Sequence, residues 1–125
     1  MGPADPELWE WPDSLDALAA AADFHRLVLD NEHVRVLETR IGPGETTPLH
    51  THRWPSTLHV LSTAHHVRRD GEGGLLTDTR AAGTPPAQGS AVWTAPMPPH
   101  TFENVGDSEI RLLNVELKDQ PSSLK

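Results

Sequence analysis

The sequence predicts one all-β domain, a sandwich or barrel, and three observations carry that expectation. Short segments that alternate apolar and polar residues recur along the chain, the period of half-buried strands. Twelve prolines and nine glycines fall between those segments and leave little room for long helices. A length of 125 residues, 36% of them hydrophobic and with no internal repeat, suits one modest core.

Residues 1–24 read as an N-terminal arm and a short helix, 25–118 as the barrel, and 119–125 as a C-terminal tail. The arm carries Trp9 and Trp11, whose size asks for a surface to cover, on this barrel or on a partner. The helix is expected over 13–22: Asp13 or Ser14 can cap it, and Leu15, Leu18 and Ala22 share one face. Strands follow at Arg26–Leu29, at His33–Ile41 after the turn Asp30-Asn31-Glu32, and at Thr57–Leu61. His65–Arg69 and Leu75–Arg80 form a hairpin around Asp70-Gly71-Glu72-Gly73-Gly74. Ser90–Thr94, His100–Asn104 and Glu109–Lys118 complete the set, with a proline-bearing turn from Ala95 to Pro99. Val34, Val36, Leu58, Val60 and Leu112 are the candidate core.

Composition excludes several functions. A net charge of −8 without a basic run opposes nucleic-acid binding. The absence of cysteine removes disulfides and thiolate metal sites. No apolar run reaches membrane-spanning length, and the first residues do not form a signal peptide, so a cytoplasmic protein is expected.

The chemistry concentrates in Pro43-Gly44-Glu45-Thr46-Thr47-Pro48-Leu49-His50-Thr51-His52. Side chains two apart on a strand share a face, so His50 and His52 project together. Two imidazoles on one face are half of a metal site. Other histidines need a separate reason to be ligands. His25, His33, His65 and His66 read as surface or hydrogen-bonded core residues.

Gly44-x5-His50-x-His52, followed by Gly89, Pro96 and Pro99-His100-x3-Asn104, resembles the two motifs of the cupin superfamily. Those motifs run G-x5-H-x-H-x3or4-E-x6-G and G-x5-P-x-G-x2-H-x3-N. The resemblance spans roughly residues 34–117 and implies a double-stranded β-helix, or jelly-roll barrel. It also implies that His50, His52 and His100 converge on one divalent metal. This sequence departs from the pattern where the motif-one glutamate is due, at Ser56 or Thr57. Its closing glycine is replaced at Thr63 or Ala64, and Pro98 and Pro99 stand in the motif-two turn. Three outcomes stay open. A three-histidine site can hold iron, as in the cysteine-dioxygenase-like and diketone-cleaving cupins; His59 can supply a fourth ligand; or the site can bind metal weakly or not at all.

The first outcome is the preferred expectation: Fe(II), with Ni, Mn or Zn as substitutes, in an oxidoreductase of the dioxygenase type. Three neutral ligands leave the ion's charge to attract a small anionic, chelating substrate. Trp54, Thr57, His59 and Trp93 are the expected pocket walls. The alternative is a non-enzymatic binding module or a metal-free cupin. A homodimer covering its arms and sheet edges is also expected.

Overall fold

The computed structural model describes residues 9–118, so the parts of the arm and tail at 1–8 and 119–125 lie outside the described residues. Among the described residues, nine strands form two antiparallel sheets that face each other. The first sheet takes β1 (His25–Asp30), β2 (Val34–Ile41), β9 (Ile110–Leu117), β4 (Ser56–Ser62) and β7 (Ala91–Thr94), in that spatial order. The second takes β3 (His50–His52), β8 (Met97–Asn104), β5 (His66–Asp70) and β6 (Leu75–Asp78). Two one-turn helices complete the fold: α1 (Ala17–Ala20), and α2 (Thr79–Ala82), which replaces the expected end of the sixth strand. This is an all-β barrel, as the strand pattern predicts, in the jelly-roll form that the motif resemblance implies.

Strand parity decides what faces the interior. β9 alternates strictly, with Ile110, Leu112, Asn114 and Glu116 buried. Across the ladder, Leu112 sits opposite Thr39 and Val60, and Ile110 opposite Ile41. The closed core therefore consists of Ile41, Val60, Ala64, Ile110 and Leu112, with Phe24, Leu58 and Phe102 packed on it. The expected core is corrected at Val34 and Val36. They pair with Leu117 and Val115, the outward residues of β9, while Arg35 and Leu37 are buried.

The expected ten-residue helix is also shorter. A 3-10 turn covers Asp13–Leu15, and Asp16 then adopts an extended conformation (φ −56°, ψ 148°) before α1 begins. Asp16, not Asp13 or Ser14, caps α1 by accepting a hydrogen bond from the Leu18 amide at 3.0 Å. The same carboxylate takes both Nη atoms of Arg35 at 2.9 Å, which fixes the break in the helix. The backbone of Asp16 bridges Thr51 on β3, so the N-terminal segment covers that strand and Thr51 is 1% exposed.

β8 runs through Pro98 and Pro99, which the sequence reading places in a turn. Its neighbour β5 ends at Asp70, opposite His100, and the pairing with β3 is bulged between His50 and His52. The missing proline N–H groups therefore interrupt no regular ladder. Asn104, at the far end of β8, is fully buried. It donates to the carbonyls of Ile41 at 2.9 Å and Ser108 at 2.8 Å, and accepts from the Gly106 amide at 2.9 Å. Gly106 passes so close to Ala64 that an added Cβ would lie 2.8 Å from the alanine methyl. Asn104 thus ties β2, β8 and the 105–109 turn together.

Replacing Asn104 with Ala removes the hydrogen-bond partner of three backbone groups, of which Ile41 is buried, Gly106 half-buried and Ser108 exposed. The expected loss is roughly 2–4 kcal/mol of unfolding free energy, read from urea denaturation. A loss below about 0.5 kcal/mol would show that solvent replaces those bonds freely.

Candidate metal centre

Four imidazoles gather at one end of the barrel interior. His50 and His52 come from β3, with ring centroids 5.1 Å apart. His100 lies opposite His50 in the β3–β8 ladder, its ring 4.4 Å from His50 and 5.8 Å from His52. His25, the first residue of β1, stands 4.9 Å from His50 and 5.3 Å from His52. Ligand nitrogens of His25, His50 and His52 all fall within 4.8 Å of one another. All four side chains are buried, at 2–6% exposure.

Each ring is oriented from behind. The Nδ1 of His25 donates to the Ala21 carbonyl at the end of α1, at 3.0 Å. That of His50 donates to the Pro48 carbonyl at 2.8 Å, and that of His100 to the Pro98 carbonyl at 2.7 Å. His52 donates instead to the Glu116 carboxylate at 2.8 Å. An acceptor at Nδ1 fixes the proton there and leaves Nε2 with its lone pair free. Acceptors that hold all four rings in this tautomer match the way metal-ligating histidines are oriented from behind, including a carboxylate–histidine pair at Glu116–His52. The residues therefore fit a divalent ion held by neutral nitrogen donors, a donor set suited to zinc, copper, iron and nickel.

Electrostatics favour the same state. Burial, then repulsion from His52 and His50, pushes His25 down to about 3. Burial and His50 push His52 down to about 3, while burial, His50 and His52 push His100 down to about 2. His50 is lowered as well, chiefly by burial. All four rings are neutral near pH 7 and free to donate to a metal. Glu116 is fully buried, and burial raises its pKa although Arg35 donates to it at 2.6 Å.

The histidines open onto a cavity of about 230 Å³. Its wall is mostly apolar, with Ile41, Leu58, Val60, Phe102, Ile110 and Leu112 opposite the rings. No aspartate or glutamate lines it, and Arg68 is its one arginine.

Several sequence expectations change here. His25, read as a structural histidine, joins the cluster; the signal lay in its pairing with Thr39, an inward residue, which requires the β1–β2 register. Thr57, His59 and Trp93 are not cavity walls. Thr57 pairs with Trp93, which is 57% exposed, and its hydroxyl contacts His59 Nε2 at 3.1 Å on the outer face. His59 as a fourth ligand is corrected for the same reason: β4 turns Leu58 and Val60 inward instead. Trp54 packs against cations, with Arg35 at 5.0 Å, Lys118 at 5.4 Å and Arg53 at 5.6 Å from its ring. Of the two places due the motif-one glutamate, Ser56 is the buried one, hydrogen-bonded to Thr94 at 2.7 Å. His66 lines the cavity and stacks on Phe102 at 4.4 Å, His65 contacts the Thr79 hydroxyl at 2.9 Å, and His33 lies near Glu32 at the surface.

No protein-family model matches the chain, and the comparison with curated proteins finds no match. Solved structures do resemble it. A cupin domain from Bordetella pertussis Tohama I is 24% identical with a TM-score of 0.63, covering 75% of this chain and 91% of its own. The polyketide cyclase RemF from Streptomyces resistomycificus is 21% identical with a TM-score of 0.54, covering 82% and 70%. An RmlC-like cupin from Methanocaldococcus jannaschii is 14% identical with a TM-score of 0.55, covering 80% and 83%. A closed two-sheet barrel with imidazoles at one end of its interior defines the class. Its fold is that of the cupins, the double-stranded β-helix. No helix among the described residues is long and apolar enough to cross a membrane.

The histidine values set the pH response of the ion-free protein. Each folded value lies below the unfolded value of about 6.5. Their contribution is fully present above pH 6.5 and is lost as pH falls toward 3, because the unfolded chain binds protons first. The expected slope is about 1.4 kcal/mol per pH unit for each such histidine. The melting temperature should fall across this window, and more shallowly in His25→Gln. Parallel pH profiles for the two proteins would contradict the assignment.

Proposed function

We propose that this chain is a mononuclear metal enzyme acting on a small organic anion, with His25, His50, His52 and His100 as the donors. The observation that carries this reading is the common tautomer: four buried rings each give Nδ1–H to a fixed acceptor and keep Nε2 free. A structural core histidine needs no such uniformity. Fe(II) is the preferred ion, with Ni, Mn or Zn as substitutes, and iron when bound would supply Lewis acidity and redox capacity toward dioxygen.

The residues around the donors do the remaining work. Glu116 holds the His52 ring in its plane and makes its Nε2 more basic. The apolar wall excludes water and strengthens every charge interaction inside. Thr39 donates to the Asn114 amide oxygen at 2.9 Å, which neutralises two polar side chains facing the cavity. With no acid in the wall, an anionic substrate meets no repulsion there.

The oxidoreductase reading extends to cleavage of an enolisable, chelating substrate by dioxygen. A second reading follows from the cyclase among the similar structures: a closed apolar chamber with a Lewis acid also suits ring closure through an enolate, without net oxidation. In both readings the active unit is a homodimer.

Metal analysis of untagged protein tests the centre, with one ion per chain expected. His50→Ala or His52→Ala should abolish binding while the far-ultraviolet circular dichroism stays that of a β-protein. His25→Ala should weaken binding by about 10- to 100-fold. A His25→Ala protein with wild-type affinity would remove His25 from the donor set. Oxygen uptake on a panel of 1,3-diketones then separates the chemistries. Loss of the enol absorbance with oxygen consumption supports the dioxygenase, and loss without it supports the cyclase.

A further inference from the structure

Among the described residues, every arginine but one pairs with a carboxylate. Arg26, Arg40 and Arg111 surround Glu38; Arg35 holds Asp16 and Glu116; Arg53, Arg69 and Arg80 meet Asp13, Glu103 and Asp78. Arg68 is the exception among the described residues. It lies on β5, between Thr77 of β6 and Phe102 of β8, and shares their inward face. It is half-buried in the cavity wall, and among the described residues its one hydrogen-bond partner is the Met97 thioether, 3.5 Å from Nη2. Thioether sulfur is a weak acceptor and carries no compensating charge.

A guanidinium stays protonated at any physiological pH, and a desolvated cation without an anion costs stability. Burial alone disfavours the Arg68 charge, and nothing in the wall offsets that cost. The guanidinium faces the same cavity as His50, His52 and His100. It would repel a bound divalent ion, since both are positive and face one chamber. A ligand with negative charge between them turns that repulsion into attraction at two points.

We propose that Arg68 is the specificity-determining residue of the cavity, taking the carboxylate of a small organic acid whose second oxygen donor faces the histidines. This rests on the metal-dependent reading above and narrows its substrate class. The planar fork of the guanidinium matches a carboxylate with two parallel N–H···O bonds. Phe102, Leu58, Val60 and Leu112 between the two polar ends require an apolar or aromatic middle. A volume of about 230 Å³ falls below the roughly 300–1,000 Å³ of drug-sized pockets, so the acid is small.

4-Hydroxybenzoate and its neutral amide, 4-hydroxybenzamide, serve as probes, since both keep a phenol oxygen at the far end of an aromatic ring and differ in charge. Calorimetric titration of the wild type should show 4-hydroxybenzoate binding at least about tenfold tighter. In Arg68→Met the preference should vanish, with 4-hydroxybenzoate weakened by about 10- to 100-fold. Arg68→Lys should retain part of it, keeping the charge without the fork. Metal content should be unchanged in both variants. The melting temperature of Arg68→Met should equal or exceed that of the wild type, because a partly desolvated charge without a counter-ion has gone. A wild type that binds no 4-hydroxybenzoate or does not prefer it, an Arg68→Met protein that keeps the preference, or a lowered melting temperature overturns the proposal. If the protein holds no ion yet prefers 4-hydroxybenzoate through Arg68, the metal reading falls and this one stands. If the ion binds and Arg68→Met changes nothing, the reverse holds.

Discussion

The buried pair between Arg35 and Glu116 is the interaction on which the rest of the site depends. Nε of Arg35 lies 2.6 Å from one carboxylate oxygen, and the other oxygen orients His52. The two Nη atoms of Arg35 hold Asp16, whose carboxylate caps α1. The end of α1 in turn presents the Ala21 carbonyl to His25. One guanidinium therefore positions two of the four imidazoles, one directly through Glu116 and one through the helix. A buried pair of this kind adds little net stability by itself, but losing either partner strands a charge at a cost of about 3–5 kcal/mol. The pair is better understood as a device that fixes geometry.

The barrel interior serves two tasks with the same residues. Ile41, Val60, Ala64, Ile110 and Leu112 pack on one another as the apolar core and also line the cavity, and Asn104 locks an adjoining turn. Four neutral rings and a guanidinium without a carboxylate face that same cavity. Both features work against stability: the cavity forgoes packing contacts, and Arg68 is partly desolvated without a carboxylate partner. Such departures from good packing concentrate where a ligand is expected to complete them. The balance of charge in that cavity points the same way, since the wall holds a cation and cation-binding donors and no acid.

The outer surface of the five-stranded sheet follows its own parity. Leu29, Val36, Val115, Thr57 and Trp93 are register partners in one row across all five strands. That row accounts for residues that the sequence suggests for the core or the pocket. Hydrophobic alternation identifies a strand with two unlike faces. It does not say which face is inside when both carry apolar residues, as in β2 and β9.

The sequence by itself determined the fold class and half of the site. Period-two alternation and glycine–proline turns are local signals, and each strand segment was legible because its own residues specify it. His50 and His52 were legible for the same reason: i and i+2 on one strand share a face whatever surrounds them. His100 and Asn104 needed the two motif halves together, and the cupin pattern supplied that link. Only the tertiary structure decided the remainder. His25 reaches the cluster through the β1–β2 register and the end of α1, neither of which any local pattern encodes. Thr57, His59 and Trp93 point outward because β4 pairs with β9 in a register that turns Leu58 and Val60 in. Arg68 reads as one charge among many in sequence; it becomes singular only when every other arginine has found its carboxylate. A side chain's type is a property of the chain, but its partners, burial and direction are set by contacts between strands far apart in sequence.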